Sequence, residues 1–339
     1  MRWSCLALAA ALLSCPAARA AEGPEAKVER LERRLHGLEL DLDRVRKLTD
    51  DVLWFQRLSD VAEVDKVTLV GPPDPRAKEE YGIRNERHPM KIHQYVFVPR
   101  QLDRQKKHPL VVLPHGGVHG DFGTYHVHIV RELVAQGYVV VAPEYRGSTG
   151  YGRGYLDAID YGGLEVDDVV AGRDWAVEML PVDPGRCALV GWSHGGLIAL
   201  LAAFDHPDKF AAVFAGVPVS DLLARVGYAG EEYRDDAVVR TMFAGKTPNE
   251  DVELVRRRSP VWNVERLRIP LLVHGTTNDR DVNVVEVESL VNALKAAGKP
   301  FEHRIWKDAP GGHSFERIDT AVAREARKEL YAFLARHLR

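Results

Sequence analysis

Cysteine is scarce. The 339-residue chain holds three, Cys5, Cys15 and Cys187. They are too few and too far apart for a disulfide framework or a cysteine-based zinc site. Cys187 lies in a short apolar stretch and reads as an inert core residue. A surplus of one charge sign is also lacking. Lys and Arg total 46 against 49 Asp and Glu, a net charge of −3. The densest basic run, Arg256-Arg257-Arg258, fits the solvated end of a helix. No nucleic-acid footprint follows from such a balance. The longest early apolar run, Trp3 to Leu13, is too short to span a bilayer. There is no internal repeat and no low-complexity tract.

What is there begins with a charged residue, Arg2, the apolar run, then Pro16 and Ala18-Arg19-Ala20. This is the layout of an export signal over residues 1–20, cleaved before Ala21. The protein is then periplasmic or secreted. An alternative reading takes Leu12-Leu13-Ser14-Cys15 as a lipobox, which leaves Cys15 lipidated and the chain membrane-anchored. Residues 25–58 form a second segment. Val28, Leu31, Leu35, Leu38, Leu42, Val45 and Val52 recur in steps of three and four, interrupted only by Thr49. That is a heptad seam. It predicts either a coiled coil, and so a homo-oligomer, or a long amphipathic helix packed on the chain's own domain. The expected divisions are 1–20 (signal), 21–62 (helical segment) and 63–339 (one large domain).

From about residue 64, strands and helices alternate. Apolar runs at 67–70, 92–98, 110–113, 138–142, 188–191, 211–215, 270–274 and 301–306 read as strands. Helical periodicity covers 166–179, 284–297 and 321–338. Such alternation predicts a mostly parallel sheet with helices on both faces. Within it stands Gly191-Trp192-Ser193-His194-Gly195, a G-x-S-x-G pattern with a strand before it and an apolar helix after it. The five residues alone also fit an ordinary strand–helix turn. In the flanking context they predict a nucleophile elbow, with Ser193 at its tip.

A serine hydroxyl needs a base, and the base an orienting carboxylate. In α/β-hydrolase folds they follow in the order Ser, Asp, His. Asp279 follows the strand 270–274 closely, with Asp281 as its rival. His313 sits in a Gly-Gly turn after the last strand. The oxyanion is expected on the backbone amides of His194 and, from the loop after the third strand, Gly117. His115, the His194 side chain and His274 read as structural or pocket-lining. No metal and no organic cofactor is expected.

At this point a resemblance enters. "PHGGVHG" (114–120), "APEYRGSTGYGRGY" (142–155), "GWSHGG" (191–196), "SPVWNVERLRIPLLVHGTTNDRDV" (259–282) and "GGHSF" (311–315) stand in the order of the prolyl oligopeptidase family of serine peptidases. The chain resembles that family's catalytic domain over roughly residues 64–339. The resemblance implies an α/β-hydrolase fold, Ser193 as nucleophile, Asp279 as acid, His313 as base, and the Gly117 and His194 amides at the oxyanion. Family members usually carry a β-propeller before this domain, where here the helical segment stands. Around the family's substrate pocket the stretch "VPVSDLLARVGYAGEEY" (217–233) offers Tyr228 and Tyr233 but no tryptophan. The expected activity is cleavage of short peptides or acyl-amino compounds. Alternatives are a carboxylesterase on small esters, and a non-catalytic assembly module built on the helix.

Overall fold

In the computed structural model, residues 23–74, 89–229, 243 and 245–338 are described. The expected signal, with Cys5 and Cys15, and the pocket candidate Tyr233 lie outside the described residues. The chain forms two compact units, Met1–Glu39 and Leu40–Arg339. In the first, the described residues are the start of a helix whose first residue is Pro24. Proline suits that position, because it lacks only an amide that a helix start leaves unbonded anyway.

The second unit is built on one sheet of eight strands: β1 (Ala62–Pro73), β2 (Pro89–Pro99), β3 (His108–Val112), β4 (Val139–Glu144), β5 (Val182–Trp192), β6 (Ala212–Gly216), β7 (Leu271–Thr276) and β8 (Glu302–Trp306). Their order across the sheet is β1-β2-β4-β3-β5-β6-β7-β8. β2 runs antiparallel to both β1 and β4, and every other pairing is parallel. The central strands are covered on both sides, so they read as unbroken apolar runs rather than alternating ones. Their side chains divide by parity. Leu110, Val112, Val139, Val141, Leu189 and Val273 enter one core. Val111, Val140, Ala188, Val190, Phe214 and Leu272 enter the other.

The helices follow in chain order: α1 (Pro24–Leu58), α2 (Val127–Ala135), the single turn α3 (Arg153–Leu156), α4 (Leu164–Met179), α5 (His194–Asp205), α6 (Leu222–Tyr228), α7 (Val252–Arg257), α8 (Val284–Ala296) and α9 (Ala321–His337). Residues of α4, α5 and α8 close the first core. Residues of α2, α9 and the end of α1 close the second.

The end of α1 docks by a route its heptad pattern does not show. Its fully buried Trp54 stacks on Phe122 at 5.1 Å. Lys47 is buried as well. Its ammonium donates to Asp121 Oδ2 at 2.9 Å and to the Phe122 carbonyl at 3.1 Å, and it pairs with Glu144. Burial pushes the Glu144 carboxyl up, but the Lys47 ammonium and the His115 ring outweigh that and hold it far below its ordinary value. The compact unit therefore begins at Leu40, well ahead of the boundary the sequence suggested near residue 62. The seam residues themselves stay exposed, from 49% at Leu42 to 65% at Val52.

Removing one member of a buried ion pair strands the other. Lys47→Ala is expected to cost about 3–5 kcal/mol of stability by urea denaturation. Lys47→Met with Glu144→Gln removes both charges and is expected to recover most of that loss.

Candidate active site

β5 delivers the chain to Ser193, and α5 begins at the next residue. Ser193 has φ 59° and ψ −124°. A serine held there stores about 1–3 kcal/mol of strain, so the surroundings must impose it. They do so by close backbone approach. A Cβ on Gly191 would lie 2.1 Å from the Gly195 carbonyl oxygen, and one on Gly195 would lie 2.3 Å from that of Pro114. Only hydrogen fits at either position. Hydrogen bonds lock the turn: Ser193 N donates to Gly216 O at 3.0 Å, and Val219 N to Ser193 O at 3.2 Å.

The acid and base arrive from two later strand ends. Past β7, one oxygen of Asp279 accepts the amides of Asp281 and Val282, each at 2.9 Å. Its other oxygen takes His313 Nδ1 at 2.7 Å. Past β8, Gly311 and Gly312 turn the chain at φ 95° and 50° and present His313. The carboxylate thus fixes the proton on Nδ1 and leaves Nε2 as an acceptor. Asp281, the rival, is exposed and lends its amide to Asp279. Ligand atoms of Asp279, Asp281 and His313 lie within 4.8 Å of one another, but both Asp279 oxygens are already engaged by protein donors.

Ser193 reaches the same place through Gly116 and Arg317. A Cβ on Gly116 would lie 3.4 Å from that of Ser193 and 3.8 Å from Arg317 Nη1. Arg317 Nη2 donates to the His313 carbonyl at 2.8 Å. Ser193 Oγ and the His313 ring are not hydrogen-bonded to each other here. Such contacts tighten when a substrate is held.

Gly117, at φ 79°, is in the loop after β3, against which the elbow packs. The Tyr145 hydroxyl donates to its carbonyl at 2.8 Å and to that of His115 at 3.1 Å, fixing the loop. The His194 amide heads α5 and has no acceptor within the helix. The His194 ring is buried against Tyr161 at 4.7 Å, and burial lowers its pKa. Only its backbone can serve the reaction.

Two residues carry weight that no sequence pattern announced. Arg317 clamps the turn that holds His313. Glu316, buried, accepts from Trp192 Nε1 at 2.7 Å and pairs with His274 Nδ1 at 2.6 Å. It ties the elbow, β7 and the base-carrying turn together. His115 is structural too, bonded to Ser148 Oγ at 2.8 Å. Tyr228 offers no free hydroxyl. It donates to Glu286 and accepts from Asn283 N at 3.2 Å. Cys187 is buried, and burial pushes its thiol up to about 11, consistent with an inert core residue.

The fold is the α/β-hydrolase fold, and the arrangement at the carboxyl ends of its strands is that of a serine hydrolase. A profile of the prolyl oligopeptidase family matches residues 125–339, and the chain belongs to that family. An uncharacterized peptidase, YuxL, of Bacillus subtilis is 31% identical over 67% of this chain and 34% of its own. The dipeptidyl aminopeptidase BIII of Pseudoxanthomonas mexicana is 28% identical over 72% of this chain and 36% of its own. Among solved structures, a puromycin-hydrolyzing peptidase of Mycobacterium tuberculosis superposes with a TM-score of 0.67 at 25% identity, covering 82% of this chain and 39% of that one. This chain therefore spans about a third of the length of the curated relatives it matches.

The His274–Glu316 pair makes a pH prediction. Burial pushes the His274 ring down, but the Glu316 and Glu329 carboxylates prevail and raise it above 6.5. Its stabilisation is then complete below pH 6.5 and fades as pH rises through the raised value. The melting-temperature gap between wild type and Glu316→Gln is expected to be widest below pH 6.5 and to narrow in alkaline buffer.

Proposed function

We propose that this chain is a serine peptidase that cleaves short peptides or acyl-amino compounds through an acyl-enzyme. The observation that carries the reading is the His313–Asp279 bond at 2.7 Å, together with a serine held at positive φ at the strand–helix elbow. Ser193 Oγ attacks the substrate carbonyl as His313 Nε2 takes its proton. The imidazolium that forms is stabilised by Asp279, whose own position is held by two amides. The developing oxyanion is received by the amides of His194 and Gly117. His313 then returns its proton to the leaving amine, and a water activated by the same ring releases the acyl group. Membership in the prolyl oligopeptidase family supports the choice of amide substrates. Three similar proteins carry "peptidase" in their names: the dipeptidyl aminopeptidase, the puromycin-hydrolyzing peptidase and YuxL.

The test pairs an acyl-amino-acid amide with the corresponding ester, and adds a fluorophosphonate probe. Wild-type protein is expected to label and to turn over the amide. Ser193→Ala is expected to lose labelling and to fall by about 10⁴–10⁶ in turnover. Ester turnover without amide turnover would replace the peptidase reading by a carboxylesterase. A folded wild type that takes no label would overturn the assignment of Ser193.

Asp279→Asn is expected to lower turnover by about 10³–10⁴, because the ring loses the partner that fixes its tautomer. Asp281→Asn is expected to stay within a few-fold of wild type, since only its backbone touches the acid.

A further inference from the structure

Helix α1 has two faces, and the chain itself uses one. Taking Val28 as position a, the a residues are Val28, Leu35, Leu42 and Thr49, and the d residues are Leu31, Leu38, Val45 and Val52. In the first unit Leu35 and Leu38 are 60% and 63% exposed; in the second, Val45 is 59% exposed. The buried side chains, Lys47, Trp54 and Leu58, fall at f, f and c, and Asp50 and Asp51, which accept from Thr124 and Lys66, fall at b and c. Those positions lie on the opposite side of the helix from the seam. A leucine–valine stripe of this length left in water marks an interaction site.

The residues flanking the stripe identify its occupant. In a parallel, in-register pair, each g residue meets the e residue five positions further along the other chain. Here those pairs are Lys27–Glu32, Arg34–Glu39, Asp41–Arg46 and Leu48–Leu53. Three join opposite charges, the third with its signs reversed, and the fourth is apolar. A slip of one heptad would instead set Arg34 against Arg46 and Asp41 against Glu39. The pattern complements itself, in one register. In the single chain, Asp41 and Arg46 make only exposed contacts along the helix, at 3.9 Å to Arg44 and 3.5 Å to Asp43. Surface pairs of that kind are weak and easily exchanged.

We infer that α1 pairs with α1 of a second copy of this chain as a parallel, in-register, two-stranded coiled coil. Charged residues at e and g favour two strands, since larger bundles bury those positions more deeply. Within residues 40–58 the docked side chains Lys47, Trp54 and Leu58 lie opposite Leu42, Val45 and Val52, so the sheet does not occupy the face offered to the second copy. One edge of the seam also borders a cleft of about 720 Å³, lined by Arg46, Thr49 and Leu53 together with His119, Thr124 and Tyr125. Asp41 and Leu48 of the second copy would stand at the mouth of that cleft.

Sedimentation equilibrium of the full chain tests the pairing. Wild type is expected at the mass of two chains. Leu35→Asp with Leu42→Asp is expected at the mass of one, with fluorophosphonate labelling unchanged to show that the sheet domain is intact. Arg34→Glu sets Glu against Glu at two symmetric places and is expected to weaken association about tenfold. Adding Glu39→Arg is expected to restore it. Leu35→Cys is expected to cross-link on oxidation, because position a meets itself only in a parallel, in-register pair. Cys5 and Cys15 are replaced by serine in this variant and in its Leu35 control, and the buried Cys187 does not compete. A one-chain wild type, a mass above two chains, a pair that survives both aspartates, or the absence of the Leu35→Cys link would each overturn the inference.

Discussion

Three stretches of backbone meet at the elbow with no side chain between them, and the site is arranged around that meeting. The end of β5, the first turn of α5 and the loop after β3 approach so closely that Gly191 and Gly195 have room only for hydrogen. The approach fixes Ser193 in a conformation serine otherwise avoids. It also brings the leading amides of α5 up to the loop that carries Gly117. Strain at the nucleophile and shape of the anion cradle are two results of one packing constraint.

Buried charges hold the parts that make this possible, and each sits at a junction between elements rather than within one. Lys47, Glu144 and His115 join α1 to β4 and to the loop after β3. Arg146 and Asp168 pair at 2.7 Å, joining the segment after β4 to α4. Glu316 joins the base-carrying turn to the elbow tryptophan and to β7. A buried charge without its partner is costly. Each junction is therefore specific: a shifted α1 or a displaced turn would leave a carboxylate in a dry interior.

Much of this was legible in the sequence, for identifiable reasons. The central strands announced themselves because burial on both faces makes them unbroken apolar runs, as in Val139-Val140-Val141. Ser193 was legible because the elbow's steric demand is met only by glycine two positions to either side. Asp279 and His313 followed from strand order and from the Gly-Gly turn. What stayed hidden depends on partners distant in sequence. Glu316 differs from a solvated glutamate only in what folds over it. Lys47 looked like one more charge between heptad positions, yet it is buried. The heptad pattern left two readings open, pairing with another chain or packing on the chain's own domain, and it did not single out the residues opposite the stripe, Lys47, Trp54 and Leu58, as the ones that are buried. That face is held by Lys47, Trp54 and Leu58 and by the carboxylates of Asp50 and Asp51, a mixture of polar and apolar groups that sets no hydrophobic period.

The place where the compact unit begins has a consequence for what counts as removable. By its pattern, α1 looks like an appendage that could be trimmed away at its end. The unit's edge instead falls inside the helix, at Leu40. A chain shortened to begin at β1 would uncover the rings of Phe122, Tyr95 and Phe97 and strip Glu144 of its cation. Roughly half of α1 therefore belongs to the sheet unit, as an internal brace rather than an appendage.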